Sequence, residues 1–215
     1  MIIFDFDGTI ADSFETVYAI ATRLAEEFGY PPESRSIAQL KNLSSREIVK
    51  LVNLPRYQLP FMLRRLRREL NQQISTLEPI VGIPETLQHL HQQGYHLGIV
   101  TSNSRANVVA FLGAHQLDRL FDFVESGLTL FGKGKILRRV VSHLPRTATS
   151  VIYVGDETRD IEAARSIGLP IVAVTWGYNS AEALSAYQPD YLIEVPAQLP
   201  EIATAIQASF PAFKP

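Results

Sequence analysis

In the stretch VIYVGDETRDIEAARSIGLPIVAV, Val151 to Val174, the chain spells strand, turn, helix and strand in order. Val151 to Val154 and Ile171 to Val174 are continuous apolar runs rich in β-branched residues. Strands that read this way, without polar alternation, are buried on both faces, as in a parallel sheet covered by helices. Between them Ile161, Ala164 and Ile167 recur at helical spacing, and Gly168 with Pro170 closes the segment. The same unit repeats upstream. Pro84 opens a helix carrying Leu87 and Leu90, Gly94 closes it, and Leu97 to Val100 is the next strand. Val108, Val109, Phe111 and Leu112 follow the Thr101-Ser102-Asn103 turn, with Gly113 expected to end that helix. Ile136, Leu137, Val140, Val141 and Leu144 make a further stripe, stopped by Pro145. The repetition predicts an α/β protein with a doubly wound parallel sheet, a Rossmann-like core.

Met1 to Phe4 reads as a first strand standing alone at the N-terminus. From residue 14 to about 78 the pattern is helical, through Val17, Ile20, Ala21, Leu24 and Phe28, then Ile48, Leu51 and Val52, then Met62, Leu63, Leu66 and Leu70. Pro31, Pro32, Pro55, Pro60 and Pro79 punctuate it. The expected organisation is an α/β core from 1–13 and 80–215, with a helical domain at 14–79 inserted after the first strand. The tail beyond Pro196 is loosely patterned.

A chain of 215 residues, 46% hydrophobic and 20% charged, can bury one α/β core and a modest insertion. A net charge of -2 gives no electrostatic reason to expect nucleic acid as partner. The absence of cysteine removes disulfides, thiolate metal sites and thiol nucleophiles. No apolar run reaches the roughly 20 residues of a membrane span, and no signal peptide is recognisable, so a cytoplasmic protein without membrane partners is expected. Either a monomer or a homodimer fits.

Functional groups of an open parallel sheet collect beyond the carboxyl ends of its strands. Three such ends carry polar clusters: Asp5-Phe6-Asp7-Gly8-Thr9, Thr101-Ser102-Asn103, and Gly155-Asp156-Glu157-Thr158-Arg159-Asp160. Lys133 and Lys135 precede the helix that leads into the last of these strands. Converging carboxylates need a cation, and an oxygen-only donor set suits a hard ion such as Mg²⁺. Hydroxyls at a helix N-terminus and a lysine beside that ion would hold an anion. Together these groups suit phosphoryl transfer, which is chiefly positioning and charge neutralisation.

Asp5-Phe6-Asp7-Gly8-Thr9-Ile10, the Thr101-Ser102-Asn103 turn, a lysine near 133, and Gly155-Asp156 with Asp160 resemble the four ordered motifs of the haloacid dehalogenase superfamily. The likeness extends over essentially the whole chain, and the helical insertion resembles that superfamily's helical cap. The nearest subgroup by resemblance holds phosphoglycolate phosphatases and β-phosphoglucomutases. The resemblance implies a phosphatase acting on a small phosphorylated metabolite, phosphoglycolate foremost. It implies Asp5 as the nucleophile that forms an aspartyl-phosphate, and Asp7 as the acid and then base. Thr101 and the Ser102 amide would hold the phosphoryl oxygens, with Lys133 neutralising charge there. Mg²⁺ would be held by Asp5, the Asp7 backbone carbonyl and Asp156. Gly8, Thr9, Asn103 and Asp160 would support the site. The branch that displaces halide lacks the second aspartate, so Asp7 argues against that reaction. Many relatives read Lys-Pro where this chain reads Phe131-Gly132-Lys133-Gly134-Lys135. Lys133 is favoured over Lys135, which already lies where the helical pattern begins.

Blander readings compete at several positions. Thr101-Ser102-Asn103 could cap a helix, and Asp160 could serve a helix dipole. Arg64-Arg65-Leu66-Arg67-Arg68 reads as a solvated cationic face, not a nucleic-acid site. Arg46 resembles a substrate reader in the cap loop, but Ser44 and Glu47 around it also form a capping box before Ile48. Two other functions share the sequence features: a sugar phosphomutase using the same nucleophile, and a catalytically retired binding or regulatory protein.

Overall fold

The computed structural model describes residues 1–30, 36–44, 47–48, 55, 57–127, 132–144 and 151–209. The strands are β1 (Ile2–Phe4), β2 (Leu97–Thr101), β3 (Phe123–Ser126), β4 (Ile152–Gly155), β5 (Ile171–Val174) and β6 (Tyr191–Ile193). They form one six-stranded sheet in the order β3-β2-β1-β4-β5-β6. Every pairing is parallel. Between the strands lie α4 (Ile83–Gln92), α5 (Arg105–Ala114), α6 (Lys133–His143), α7 (Thr158–Arg165) and α8 (Ala181–Ala186). The loosely patterned tail is a helix, α9 (Leu199–Ser209), with Leu199, Ala203 and Ile206 buried.

Period-two alternation divides the strands between two apolar layers. Ile2, Phe4, Leu97, Ile99, Ile152, Val154, Val172 and Val174 face the layer that contains side chains of α4, α5 and α9. Ile3, Val100, Tyr153, Ile171 and Ala173 face the other, with α6, α7 and α8. Burial on both faces is the reason these strands read as unbroken hydrophobic runs.

The edge strands explain what the pattern leaves out. β3 is half-buried throughout, and its Glu125 pairs with Arg139 at 2.9 Å. β6 has only three residues and an exposed Leu192. Neither carries the continuous apolar signal of the central strands. Gly113 likewise does not end its helix. It lies inside α5, and the left-handed turn falls two residues past the helix, at Gln116 (φ 58°). Gly94 (φ 83°) and Gly168 (φ 71°) do take that conformation where their helices close.

Between β1 and α4 the described residues contain no strand pairing into the sheet, only α1 (Phe14–Glu27), α2 (Ile37–Lys41), α3 (Leu59–Gln73) and a 3-10 turn at Ile74–Thr76. The chain leaves and returns at one place: Asp12 N donates to Glu78 O at 2.9 Å, and Ile80 N to Ile10 O at 2.9 Å. Ile20, Leu24, Met62 and Leu70 from these helices belong to the first apolar layer. The exposed side of α3 carries the arginines, and Arg65 meets Glu27 at 2.7 Å and Glu69 at 3.1 Å. That is the solvated cationic face expected of the run. No helix of the described residues is long and apolar enough to cross a membrane.

Candidate active site

β1 sits where the strand order reverses, with β2 on one side and β4 on the other. Their register pairs Phe4 with both Ile99 and Val154, so the three loops that follow open at the same level. This is the crevice in which an open α/β sheet gathers its functional groups.

Carboxylate oxygens of Asp5, Asp156 and Asp160 lie within 4.8 Å of one another, and all three residues are buried. Lys133, at the first turn of α6, reaches into the cluster. Its Nζ donates to Asp5 Oδ2 at 2.5 Å and to Asp160 Oδ1 at 2.5 Å. Lys135 is exposed on the same helix. Gly134 between them suits close packing, since a Cβ there would come within 2.9 Å of Ser166 Oγ. Asp160 has little coordinating capacity to spare. Its Oδ1 also accepts from Tyr153 Oη at 3.4 Å, and its Oδ2 accepts from Glu157 N at 3.0 Å in the capping box of α7.

Asp156 is fixed differently. Thr9 Oγ1 donates to its Oδ1 at 2.7 Å, and Tyr178 N donates to its Oδ2 at 2.7 Å. Two glycines press against it. Gly8 is left-handed (φ 76°), and a Cβ there would lie 2.3 Å from Asp156 Oδ2; at Gly177 the distance would be 2.2 Å. Any side chain at either position would displace the carboxylate or the backbone over it.

Asp7 is half-buried, and Asn103 Nδ2 donates to both its oxygens at 3.1 Å. Thr101 is buried at the end of β2, and its Oγ1 accepts from Asn103 N at 3.0 Å. Ser102, half-buried, completes the turn ahead of α5. The capping box between Ser44 and Glu47 is present: Ser44 N donates to Glu47 Oε2 at 2.8 Å, and Glu47 N to Ser44 Oγ at 3.3 Å. Arg46 lies outside the described residues.

The electrostatics of the cluster call for a cation. Burial pushes the Asp5 carboxyl up to about 7, against the pull of Lys133. Burial, then Glu157, Asp5 and Asp160, raise Asp156 well above the carboxylate range. Burial also raises Asp7, against its bonds from Asn103. Lys133 would be lowered by burial, but Asp160 and Asp5 more than reverse this and hold it above its ordinary value. Three buried carboxylates against one ammonium leave an excess of two negative charges. Glu157 and Arg159 pair with each other beside them and do not change that excess. A hard divalent ion on oxygen donors fits both the charge and the chemistry of this set.

The loop after β5 was not singled out by motif. It supplies Tyr178 N to Asp156, and Asn179 Oδ1 accepts from Thr158 N at 2.9 Å. Asn179 Nδ2 also donates to Leu43 O at 2.8 Å, which ties the inserted helices to the site. The available signal was positional: Trp176-Gly177-Tyr178-Asn179-Ser180 is another polar run just beyond a strand's carboxyl end.

Residues 2–174 match the family model of haloacid dehalogenase-like hydrolases. The chain belongs to that family. This hydrolase is 43% identical over 206 residues to a phosphoglycolate phosphatase of Synechococcus elongatus, covering 95% of the chain and 97% of the relative. It is 29% identical over 211 residues to a pyrophosphatase of Bacillus velezensis, covering 90% and 91%. Among solved structures, a haloacid dehalogenase-like hydrolase from Streptococcus pneumoniae shares the fold, with a TM-score of 0.75, 22% identity and coverage of 94% and 97%.

Proposed function

We propose that this hydrolase is a Mg²⁺-dependent phosphatase that cleaves a small phosphate monoester through an aspartyl-phosphate on Asp5, with phosphoglycolate as the foremost substrate. The observation that carries the reading is the buried cluster of Asp5, Asp156 and Asp160 with Lys133 bonded between two of its members. The substrate assignment rests on the 43% identical relative. In the first step an Asp5 oxygen forms a bond to phosphorus as the ester P–O bond breaks, and Asp7 gives its proton to the departing oxygen. In the second, water attacks the same phosphorus, Asp7 takes a proton from it, and Asp5 is released with inorganic phosphate. Thr101 and the Ser102 amide, at the N-terminal approach to α5, would bind the phosphoryl oxygens, and Lys133 would offset charge on them and on Asp5. Mg²⁺, held by Asp5, the Asp7 backbone carbonyl and Asp156, would neutralise phosphoryl charge. Asp160 would act through Lys133, which it orients.

The inserted segment 14–79 is proposed as a cap over this site. It leaves the core after Ser13 and rejoins it at Ile80, and it meets the loop after β5 through hydrogen bonds and an edge-to-face contact of Phe14 with Tyr178, ring centroids 5.2 Å apart. Lys41 Nζ donates to Gly177 O at 2.8 Å, and Ser180 N to Lys41 O at 2.9 Å. Closure of such a cap would exclude water from the first step.

Turnover of 2-phosphoglycolate, sugar phosphates, nucleotides and pyrophosphate, each with Mg²⁺ and with EDTA, tests the activity. Release of phosphate from phosphoglycolate, abolished by EDTA and restored by Mg²⁺, is expected. Phosphate returned to sugar instead of water, or full activity in chelator, would overturn the proposal.

A melting experiment tests the metal without reference to activity. Asp5 titrates near 7 in the fold and at 3.8 ordinarily, so between those values the folded protein holds more protons than the unfolded chain. Stability of the metal-free protein should therefore fall as pH rises through that window. Mg²⁺ should raise Tm, and by more at pH 8 than at pH 5. A Mg²⁺-independent Tm at pH 8 would argue that no ion binds there.

A further inference from the structure

Asn107 is 1% exposed in the first turn of α5, where its backbone N donates to the N-cap Ser104 Oγ at 3.2 Å. Its side-chain amide is used on both sides. Nδ2 donates to Asn103 Oδ1 at 2.9 Å, and Oδ1 accepts from Asn71 Nδ2 on α3. Asn103 in turn donates Nδ2 to both oxygens of Asp7. Each amide donates one step inward, so the three form a directed line from the inserted helices to the carboxylate. Neither Asn103 nor Asn107 can rotate its amide by half a turn without setting like against like at two contacts or more, and a flipped Asn71 would set its oxygen against that of Asn107. Ser104 N also donates to Asn103 Oδ1, at 2.7 Å, and Ser126 Oγ donates to Asn103 O at 2.5 Å. Asn103 is thus clamped by donors on its carbonyl side, which leaves only its NH₂ to face Asp7.

We infer that Asn107 and Asn71 are positioning residues for Asp7, acting through Asn103, and that the docking of α3 is thereby coupled to the orientation of the acid. The inference rests on the reading of Asp7 as acid and base. Nothing in the sequence motif marks Asn107. What assigns it a role beyond packing is the line of hydrogen bonds, which an apolar residue of similar size would break.

The test compares two leaving groups through kcat/KM, which reports on the chain up to the first irreversible step. An alkyl ester, 2-phosphoglycolate or the alkyl monoester cleaved fastest in the substrate screen, needs a proton on its departing oxygen. 4-Nitrophenyl phosphate releases a stable phenolate and needs none. Asn107→Ala is expected to lower kcat/KM for the alkyl ester about tenfold, the scale of one hydrogen bond of about 1.4 kcal/mol, and for the aryl ester less than about twofold. Asn71→Ala, on the exposed edge of α3, should act in the same direction by about threefold and keeps the test open if Asn107→Ala does not fold. The double variant should be no worse than Asn107→Ala alone, because both cut one line. Equal losses for the two esters, or additive losses in the double variant, would overturn the inference. Asp7→Asn separates the two layers of argument. If it discriminates between the esters while Asn107→Ala does not, the inference falls and the acid–base reading stands. If Asp7→Asn does not discriminate, both fall.

Discussion

Asp5→Asn is expected to abolish steady turnover, a loss of roughly 10⁴-fold or more, the range seen when the nucleophile of a covalent catalyst is removed. The amide is nearly isosteric, but its oxygen is a poor nucleophile and its nitrogen is none. Both oxygens of Asp5 now accept strong donors: Phe6 N at 2.8 Å on Oδ1 and Lys133 Nζ at 2.5 Å on Oδ2. An asparagine must turn its NH₂ toward one of these, so one contact is lost whichever way it sits. Fold stability should nevertheless hold, and above pH 7 the metal-free variant should melt at or above the parent. Burial opposes ionisation of Asp5, and the neutral amide escapes that cost. A dead enzyme with an undiminished Tm is the combined result that places Asp5 in chemistry and not in architecture. Steady hydrolysis by the purified variant, beyond what slow deamidation supplies, would remove Asp5 from its role.

The place of Asp5 in the cluster was legible because its neighbours in space are announced by the same local rule. Asp5 follows β1 and Asp156 follows β4, and these strands are adjacent in the sheet, so two polar clusters read at strand ends meet without any further assumption. The sheet itself was legible through its central strands, which are buried on both faces and therefore apolar without alternation. It was illegible at its edges, where β3 is only partly buried and the three-residue β6 exposes Leu192. The Trp176–Ser180 loop and Asn107 were missed for another reason. Their partners are distant in sequence: Tyr178 N reaches Asp156, and Asn107 joins Asn71 to Asn103. A buried asparagine on a helix looks, in a one-dimensional pattern, like any polar residue of the exposed face. Asp160 shows the converse limit. Its place in the first turn of a helix suggested an ordinary dipole partner, and it is indeed part of a capping box, yet the same carboxylate also holds Lys133 at 2.5 Å.

The lysine pair separates by burial, and that sets the second large expected effect. Lys133 is 6% exposed and bonded to two carboxylates, whereas Lys135 is exposed two residues along the same helix. Lys133→Ala should lower kcat by on the order of 10² or more, the scale for losing one preorganised charge-stabilising group. It should also cost stability, by about 3–5 kcal/mol, because Asp5 and Asp160 would remain buried without their shared cation. Asp5, freed from the pull of Lys133, would then hold its proton more tightly, so the Tm deficit of the variant should shrink as pH is lowered and should be partly recovered by Mg²⁺. Lys135→Ala removes a solvated charge and should change kcat by less than about threefold and Tm hardly at all. Steady-state kinetics and thermal melts of the two variants, run at pH 6 and pH 8, distinguish these outcomes. A catalytic loss that follows Lys135 instead would mean that the lysine of this motif is displaced by two residues from the position its burial indicates.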